Sequence, residues 1–220
     1  MYKKLSDEAL GIILEAGIEE FSRNGPEKAS VRAIAQRAGV SVGVLYKYYA
    51  DKESLFLACV RHSLELLDRV LSEAVSDEHT LEESIDAVLR ALIEHARSHG
   101  SYNAMYNEIT SGSCRSYAAL LSREIECRSA AVYSALFEKA RQEGRLRTDA
   151  DSSLCAFFFD NLLITLQFSY CCDYYRERMK IFCGEDIFDN DEKIITAFRG
   201  FICAALQLRG SPEADRGTKC

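Results

Sequence analysis

The 220-residue sequence contains only two prolines, Pro26 and Pro212, and no tryptophan. Because proline interrupts helices, so long a chain with so few of them favours an all-α fold. Long uninterrupted apolar runs are also missing: residues 154–172 are the longest apolar stretch, and polar side chains such as Asp160 and Gln167 break it. We therefore expect no membrane span. No basic start with a following apolar run resembles a signal peptide, so we expect a cytoplasmic protein.

Catalytic and phosphate-binding motifs are scarce as well. The P-loop pattern G-x-x-x-x-G-K-[ST] and the zinc-protease pattern H-E-x-x-H do not occur. We expect a protein that is not an enzyme and that needs no cofactor or metal. His95 and His99 have a spacing that suits a metal, but we place them at a solvated helix end. No C-x-x-C pair is present, which argues against a zinc site.

Nine cysteines are present, and six of them lie in apolar stretches with helical periodicity: Cys59, Cys155, Cys171, Cys172, Cys183 and Cys203. Free cysteines in such places behave as small hydrophobic residues. The odd count in a chain of this length does not suggest a disulfide framework. Neighbours on a helix point in different directions, so the adjacent pair is a poor disulfide. A regulator that responds through its thiols stays open as an alternative function.

Charge is divided unevenly between the two parts of the chain. The formal net charge is −7, yet residues 1–52 carry eight basic and seven acidic side chains. The first segment is therefore close to neutral, and the acidic excess lies in the remainder. Such asymmetry suggests different partners for the two parts.

Apolar periodicity and capping residues predict helices along the whole chain. Ser6, Ser30, Ser41 and Asp51 are candidate caps, and Thr80 with Glu83 has the spacing of a capping box. The predicted helices span about residues 7–24, 31–38, 42–48, 52–74, 81–97, 102–109, 116–143, 151–182 and 191–208. The second and third are short and joined by a tight turn at Gly39, which is the pattern of a helix-turn-helix.

The segment 29–59 reads ASVRAIAQRAGVSVGVLYKYYADKESLFLAC and resembles the tetracycline-repressor (TetR/AcrR) family of bacterial regulators. The resemblance begins with an apolar first helix that ends at Phe21 and Gly25. It covers about the first sixty residues, and the later helices match the family only in number and order. Two positions depart from the usual pattern: Val42 replaces a polar or basic residue, and Tyr49 replaces phenylalanine. The matching residues are Ser30, Val31, Ile34, Ala35, Ala38, Gly39, Val40, Ser41, Gly43, Leu45, Tyr46, Tyr48, Tyr49, Lys52 and Leu55.

The resemblance implies a DNA-binding regulator with an N-terminal three-helix domain and a helical ligand-binding and dimerisation bundle. We expect the boundaries at 1–52 for the DNA-binding domain, 53–210 for the bundle and 211–220 for a flexible tail. The expected partners are a double-stranded DNA operator, a small-molecule effector and a second copy of the chain, with no membrane. A ligand-responsive repressor is the leading hypothesis, and a dimeric helical adaptor without DNA binding is a further alternative.

The third helix supplies most of the expected DNA contacts, because a helix fits the major groove and its first residues reach base edges. The resemblance implies that Val42, Gly43, Tyr46, Tyr48 and Lys52 meet DNA. Lys52 is expected to act with the N-terminus of the fourth helix on a phosphate. Hydroxyl groups and charge at three further positions suit phosphate contacts: Ser30, Ser41 and Lys47.

The effector pocket and the dimer interface are inferred from the middle and last helices. Apolar walls with a few polar groups are typical of a small-molecule pocket, and the candidates are Leu89, Ile93, Tyr102, Met105, Tyr106, Tyr133, Phe158, Asn161 and Thr165. Asn161 and Thr165 share a helix face, and a hydrogen bond across the dimer or to a backbone carbonyl is an equally open role. Apolar stripes on the last two long helices predict the interface residues Phe157, Ile164, Phe168, Ile195, Phe198, Ile202 and Leu206.

Overall fold

A computed structural model of the chain describes residues 5–75, 79–110, 118–147 and 149–206. Within these ranges the chain forms ten α-helices and no β-strand, which confirms the all-α prediction. A 3₁₀ turn, Ile187–Asp189, leads into the last helix. The helices are α1 Asp7–Lys28, α2 Val31–Arg37, α3 Val42–Tyr48, α4 Lys52–Ala74, α5 Leu81–Ser98, α6 Gly100–Glu108, α7 Ala118–Gln142, α8 Ser152–Cys171, α9 Asp173–Cys183 and α10 Asp191–Leu206.

Side-chain caps begin the helices where the sequence predicts them. Ser30 and Ser41 each accept a hydrogen bond from the backbone N–H three residues on, at 3.3 Å. Thr80 and Glu83 form the predicted reciprocal capping box. Gly25 has φ 67°, a left-handed conformation that glycine tolerates, and kinks α1 before a final turn that starts at Pro26.

One predicted helix is two helices in the structure. Residues 151–182 were expected to form a single helix, but α8 ends at Cys171 and α9 begins at Asp173. Cys172 between them has an extended backbone, with φ −116° and ψ 124°. The predicted start of α7 near residue 116 and the tail 211–220 lie outside the described residues.

Helix α8 is long and apolar enough to cross a membrane by length and composition alone. The same properties suit a central helix of a bundle, and α8 packs against α5, α6, α7 and α9. Its side chains Phe159, Leu163 and Leu166 are buried in the core, whereas Phe157 and Phe158 are exposed. The packing therefore accounts for one apolar side of α8 and leaves another side uncovered.

The buried side chains form two clusters, and α4 contributes to both. The first cluster joins α1, α2, α3 and the first part of α4 to α6 and the start of α7. The second joins the end of α4 to α5, α7, α8 and α10. Leu67 packs against both clusters. The first cluster continues past residue 52 as far as Leu64 in α4 and Ile125 in α7, so the N-terminal helices share a core with the bundle.

Helices α1 and α4 approach closely at Gly17. A Cβ atom at Gly17 would lie only 2.5 Å from Sγ of Cys59. The Cys59 thiol donates to the backbone oxygen of Leu14 at 3.6 Å, and burial raises its pKa far above the usual range. Phe21 and Phe56 pack edge to face beside this contact, with ring centroids 5.0 Å apart.

A buried carboxylate fixes α2 against α1. Oε1 of Glu20 accepts hydrogen bonds from Nδ2 of Asn24 and from the backbone N–H of Ser30, each at 3.0 Å. Arg37, at the other end of α2, places Nη1 3.7 Å from Oε2 of Glu20 and donates to the backbone oxygen of Ala16. Both ends of α2 are thus tied to the same part of α1.

We expect Glu20→Ala to lower the free energy of unfolding by about 2–4 kcal/mol, because Ser30 N–H and the Arg37 guanidinium both lose a buried partner. Urea denaturation followed by circular dichroism measures the loss. Glu19→Ala is the matched control, since the Glu19 side chain is 45% exposed and its ion pairs with arginine contribute about 1 kcal/mol or less. Equal losses in the two variants would contradict the role assigned to Glu20.

Candidate DNA-binding surface and effector cavity

The outer side of α3 is the exposed part of the helix-turn-helix. Ser41, Gly43, Tyr46 and Lys47 are exposed there, and half of the Tyr46 side chain is accessible. Leu45 faces the opposite way and is fully buried. Ser41 accepts a hydrogen bond as the cap of α3, and its own O–H is still able to donate to a phosphate.

Three of the expected DNA contacts have structural partners in this conformation. Val42 is half-buried against the first cluster, which limits its reach toward a base. The Tyr48 hydroxyl accepts a hydrogen bond from Leu5 N–H at 2.6 Å. Lys52 donates through Nζ to the backbone oxygens of Glu27 and Ala29, at 2.6 and 3.3 Å. Through these contacts the three residues stabilise the fold beside the exposed surface. That surface is formed by Ser30, Ser41, Gly43, Tyr46 and Lys47.

The N-terminus of α4 already holds an anion of its own. Asp51 caps it by accepting from Ser54 N–H at 2.7 Å, and the Ser54 hydroxyl lies 3.1 Å from Asp51 N. The backbone hydrogen bond from Ser54 lowers the pKa of Asp51. The expected phosphate site formed by Lys52 and this N-terminus stays a prediction, and the Asp51 carboxylate beside it would oppose a second anion.

Residues 39–43 also read Gly-x-Ser-x-Gly, the pattern of a nucleophile elbow. In that motif the serine lies on a sharp turn between a strand and a helix. Here Ser41 follows α2 and caps α3. The pattern is therefore part of the turn between α2 and α3 and does not form a nucleophile elbow.

A small interior cavity lies between α4, α5, α6, α7 and α8, with a volume of about 60 Å³. Its walls are mostly apolar. None of the described lining residues is Asp, Glu, Lys or Arg. The lining consists of Val60, Ser63, Leu64, Leu67, His95, Tyr102, Asn103, Met105, Tyr106, Ile109, Ile125 and Gln167.

Two of the polar side chains in the cavity wall have unpaired atoms. His95 and Asn103 are 5% and 7% exposed. Among the described residues, neither ring nitrogen of His95 has a hydrogen-bond partner, and Nδ2 of Asn103 has none. Burial, with a smaller contribution from His99, lowers the pKa of His95 to about 4, so the imidazole is neutral near pH 7. The assignment of His95 to a solvated helix end is wrong, because it lies three residues after Leu92 on the buried stripe of α5.

Two tyrosines in the cavity wall donate to carboxylates that lie outside the lining. The Tyr102 hydroxyl donates to Oε1 of Glu15, and the Tyr106 hydroxyl donates to Oε1 of Glu126 at 2.8 Å. Burial raises the pKa of both tyrosines. Asp160 lies near Glu126, and burial together with that charge raises its pKa to about 6. The outer partners of these tyrosines are therefore acidic.

The nine expected pocket residues do not share one site. Tyr102, Met105 and Tyr106 line the cavity. Three others pack in the second cluster: Leu89, Ile93 and Tyr133. The remaining three lie along an outer groove between α8 and α10: Phe158, Asn161 and Thr165.

Asn161 and Thr165 face this groove and bond to their own helix. Asn161 donates to Phe157 O at 2.7 Å, and Thr165 donates to Asn161 O at 2.9 Å. Phe158 beside them is 60% exposed. These three residues therefore line the outer groove and not the small cavity, and their contact with an effector stays a prediction.

Most of the expected interface residues turn inward in the structure. Phe168, Ile195 and Ile202 are buried in this chain's own core, and Phe198 and Leu206 pack against the second cluster. Burial corrects the expectation for Phe168, Ile195 and Ile202, because these apolar side chains cover the chain's own core, whereas Phe198 and Leu206 are half-buried and their place in an interface stays a prediction. Ile164 is half-buried and Phe157 is 60% exposed. The uncovered apolar side chains of α8 and α10 are Leu154, Phe157, Phe158, Leu162 and Phe201.

Residues 13–59 match the family model described as "Bacterial regulatory proteins, tetR family". Over 77 residues the chain is 34% identical to the HTH-type transcriptional regulator BetI of Brucella canis. The aligned segment covers 35% of this chain and 39% of the relative. Over 91 residues it is 33% identical to the HTH-type transcriptional regulator Mb3439c of Mycobacterium bovis, covering 40% and 48%. The chain thus spans less than half the length of these relatives.

Solved structures resemble the chain over almost its whole length. A TetR-like transcriptional regulator from Rhodococcus sp. RHA1 aligns with a TM-score of 0.71 and 17% identity, covering 95% of this chain and all of that one. The fatty acid degradation regulator FadR of Bacillus halodurans aligns with a TM-score of 0.71 and 17% identity, covering 94% and 100%. At such low identity the similarity shows the fold alone.

Proposed function

Residues 13–59 make this chain a member of the tetR family of bacterial regulatory proteins, and on that premise we propose that it is a ligand-responsive repressor. As a dimer it binds a palindromic DNA operator, and a small, largely apolar effector releases it. It acts in the cytoplasm and, like the regulators it resembles, it is not an enzyme. The observation that carries the proposal is the exposed face of α3, with Tyr46 half accessible beside the capping Ser41.

DNA recognition is proposed for Ser30, Ser41, Gly43, Tyr46 and Lys47. Gly43 is open: a Cβ there would meet nothing nearer than Ser41 Oγ at 3.9 Å, so the backbone is free to approach a base pair. The Tyr46 ring is suited to contact a thymine methyl group and its hydroxyl to contact a phosphate. With so few basic residues, we expect specificity to depend largely on apolar contacts, DNA shape and the spacing of two recognition helices.

Dimerisation is proposed through the outer sides of α8 and α10. Five large apolar side chains are uncovered there, and a contiguous exposed patch of this kind marks an interaction surface. The outer side of α10 also carries small exposed residues, Ala197, Gly200, Ala204 and Ala205, which let a second helix approach closely. A two-fold arrangement of identical surfaces is the usual form of such a dimer.

The effector is proposed to bind at the cavity between α4 and α6. Helix α4 contributes Val60, Leu64 and Leu67 to the cavity wall. It also follows α3 directly in the chain. An occupant that displaces α4 changes the separation of the two recognition helices in the dimer. The effector then favours the conformation with the wrong spacing for DNA.

A thiol-responsive regulator is a second candidate, and the adjacent cysteines favour it. The extended backbone at Cys172 brings its Sγ to 3.7 Å from Sγ of Cys171, which corrects the expectation that the two side chains diverge. The hydrogen bond from the Cys171 thiol lowers the pKa of Cys172. Cys171 also lies beside Gly100, where a Cβ would be 3.4 Å from Cys171 Cβ. Helix α6, which starts there, packs on α1.

Selection from a random double-stranded DNA library tests the leading function and supplies the binding site. We expect Tyr46→Ala to weaken binding to the selected DNA by about tenfold or more, the value of one good groove contact, and Lys47→Ala to reduce the slope of affinity against salt by about one. Tyr174→Ala is the matched control, because Tyr174 is 76% exposed on α9. Recovery of no DNA at low salt would favour the adaptor alternative, and equal affinities of the two tyrosine variants would exclude α3 as the reader.

Sedimentation analysis tests the proposed dimer surface. We expect the wild-type chain to sediment as a dimer and Phe201→Asp to sediment as a monomer, because the substitution places an unpaired charge in an apolar interface. Phe182→Asp is the control, since Phe182 is 78% exposed on α9. A monomeric wild type, or a dimer lost only with the Phe182 variant, would contradict the assignment.

Titration with phenylarsine oxide tests the thiol alternative. Each arsenical forms two As–S bonds with the thiols of Cys171 and Cys172 and releases one water. We expect one equivalent to bind the wild type and Cys183→Ser, none to bind Cys172→Ser at this pair, and DNA affinity to fall on binding. Uptake without any change in DNA affinity would exclude the pair as a sensor.

A further inference from the structure

We propose that the effector is an uncharged molecule with a compact apolar body and one head group that both accepts and donates hydrogen bonds, held between His95 and Asn103. An alcohol or a primary amide has this chemistry. The inference rests on the proposed effector response and specifies the chemical class that the cavity selects.

The unpaired atoms in the cavity wall define the head group. A buried polar group without a hydrogen bond costs about 1–3 kcal/mol, and three nitrogens of His95 and Asn103 are in this state. A neutral imidazole offers one N–H donor and one lone pair. Nδ2 of Asn103 offers only donors. A head group that reaches both residues must accept from Asn103 Nδ2, and one that also donates pairs with His95 in either tautomer.

Charged head groups are disfavoured in this cavity. An ammonium has no acceptor for Asn103 Nδ2, and a carboxylate, which has no donor, can pair with His95 only through a ring N–H. The carboxylates of Glu15 and Glu126 behind the two tyrosines also repel an anion. The described lining residues include no formal charge that would compensate the burial of an ion.

The size of the cavity links occupancy to conformational change. Ligand pockets commonly measure about 300–1,000 Å³, whereas this cavity holds about 60 Å³. An apolar body of several carbon atoms therefore fits only if the walls move apart. Val60, Leu64 and Leu67 of α4 form one wall, so the effector binds a conformation in which α4 is displaced.

His95 also marks a route into the cavity. The same side chain lines an outer groove of about 410 Å³ between α4 and α5, together with Leu66, Val70 and His99. A molecule that enters from this groove meets the imidazole before it reaches Asn103. The head group that binds His95 would therefore enter the cavity before the apolar body of the molecule.

Four probes that share the same apolar chain and differ in their head group test the head-group requirement. They are 1-hexanol, hexanamide, hexanoate and hexylammonium. The readout is the thermal midpoint of the full chain at equal free probe concentration, with affinity from calorimetry. We expect the alcohol and the amide to raise the midpoint and the two ions to leave it unchanged. An equal rise with either ion, or no rise with the uncharged probes up to their solubility limit, would overturn the proposal.

Leucine variants test whether His95 and Asn103 bind the head. Without probe, we expect His95→Leu and Asn103→Leu each to raise the midpoint by about 2–4 °C, because each removes unpaired buried nitrogen atoms. We also expect the double variant to bind 1-hexanol at least tenfold more weakly. His99→Leu is the control, because His99 lines the outer groove and not the cavity. A lower midpoint or loss of folding in either single variant would show that the pair is structural and holds buried water, and would overturn the proposal.

Affinity for the selected DNA is measured in the same samples. Selective binding of the uncharged probes with no change in DNA affinity would contradict the proposed effector response and leave the chemistry of the cavity supported. Release of DNA by an ion that acts without His95 and Asn103 would support an effector response and overturn the inferred ligand class.

Discussion

The approach of α1 to α4 at Gly17 is the contact on which the remaining arrangement depends. Because a Cβ atom at this position would overlap Cys59 Sγ, the two helices reach their separation only with glycine there. Helix α2 is held on α1 by Glu20, and α3 follows α2 after a tight turn. Helix α4 continues from the same contact into the second cluster. The orientation of α3 is therefore tied to the position of α4 by side chains that leave little free space.

The cavity lies beside the same segment of α4, which gives the fold a physical basis for two conformations. In this conformation the cavity holds only about 60 Å³, and among the described residues three nitrogen atoms of His95 and Asn103 in its wall are unpaired. An occupant shifts the equilibrium only by the difference in its affinity for the two conformations. Hydrogen bonds to His95 and Asn103, formed only when the walls separate, supply such a difference. The cost of the unpaired nitrogen atoms and the response to a ligand thus have one origin.

Local signals predicted much of the fold, whereas features set by tertiary packing were missed. Caps such as Thr80 and the left-handed Gly25 depend on neighbours in the chain, so their positions followed from the sequence. The break at Cys172 carries no proline or glycine, so no local signal marks it. On α10 the apolar period marks Ile195 and Ile202, which cover the chain's own core, so it cannot reveal which face remains for a partner. The polar His95 on the apolar stripe of α5 was a signal for the cavity that the sequence did contain.

The first core cluster has a consequence for exchanging parts between regulators of this fold. Buried residues of α1 share their contacts with Leu64 of α4 and with Met105 of α6. A chimera joined at residue 52 would place foreign side chains against half of this core, even though the graft point itself lies at the first residue of α4. A junction near Leu67 keeps the native packing on both sides when the residues of α6 and of the start of α7 that belong to the first cluster are transplanted with it. In this chain the unit that can be inherited or engineered as a module is discontinuous in sequence.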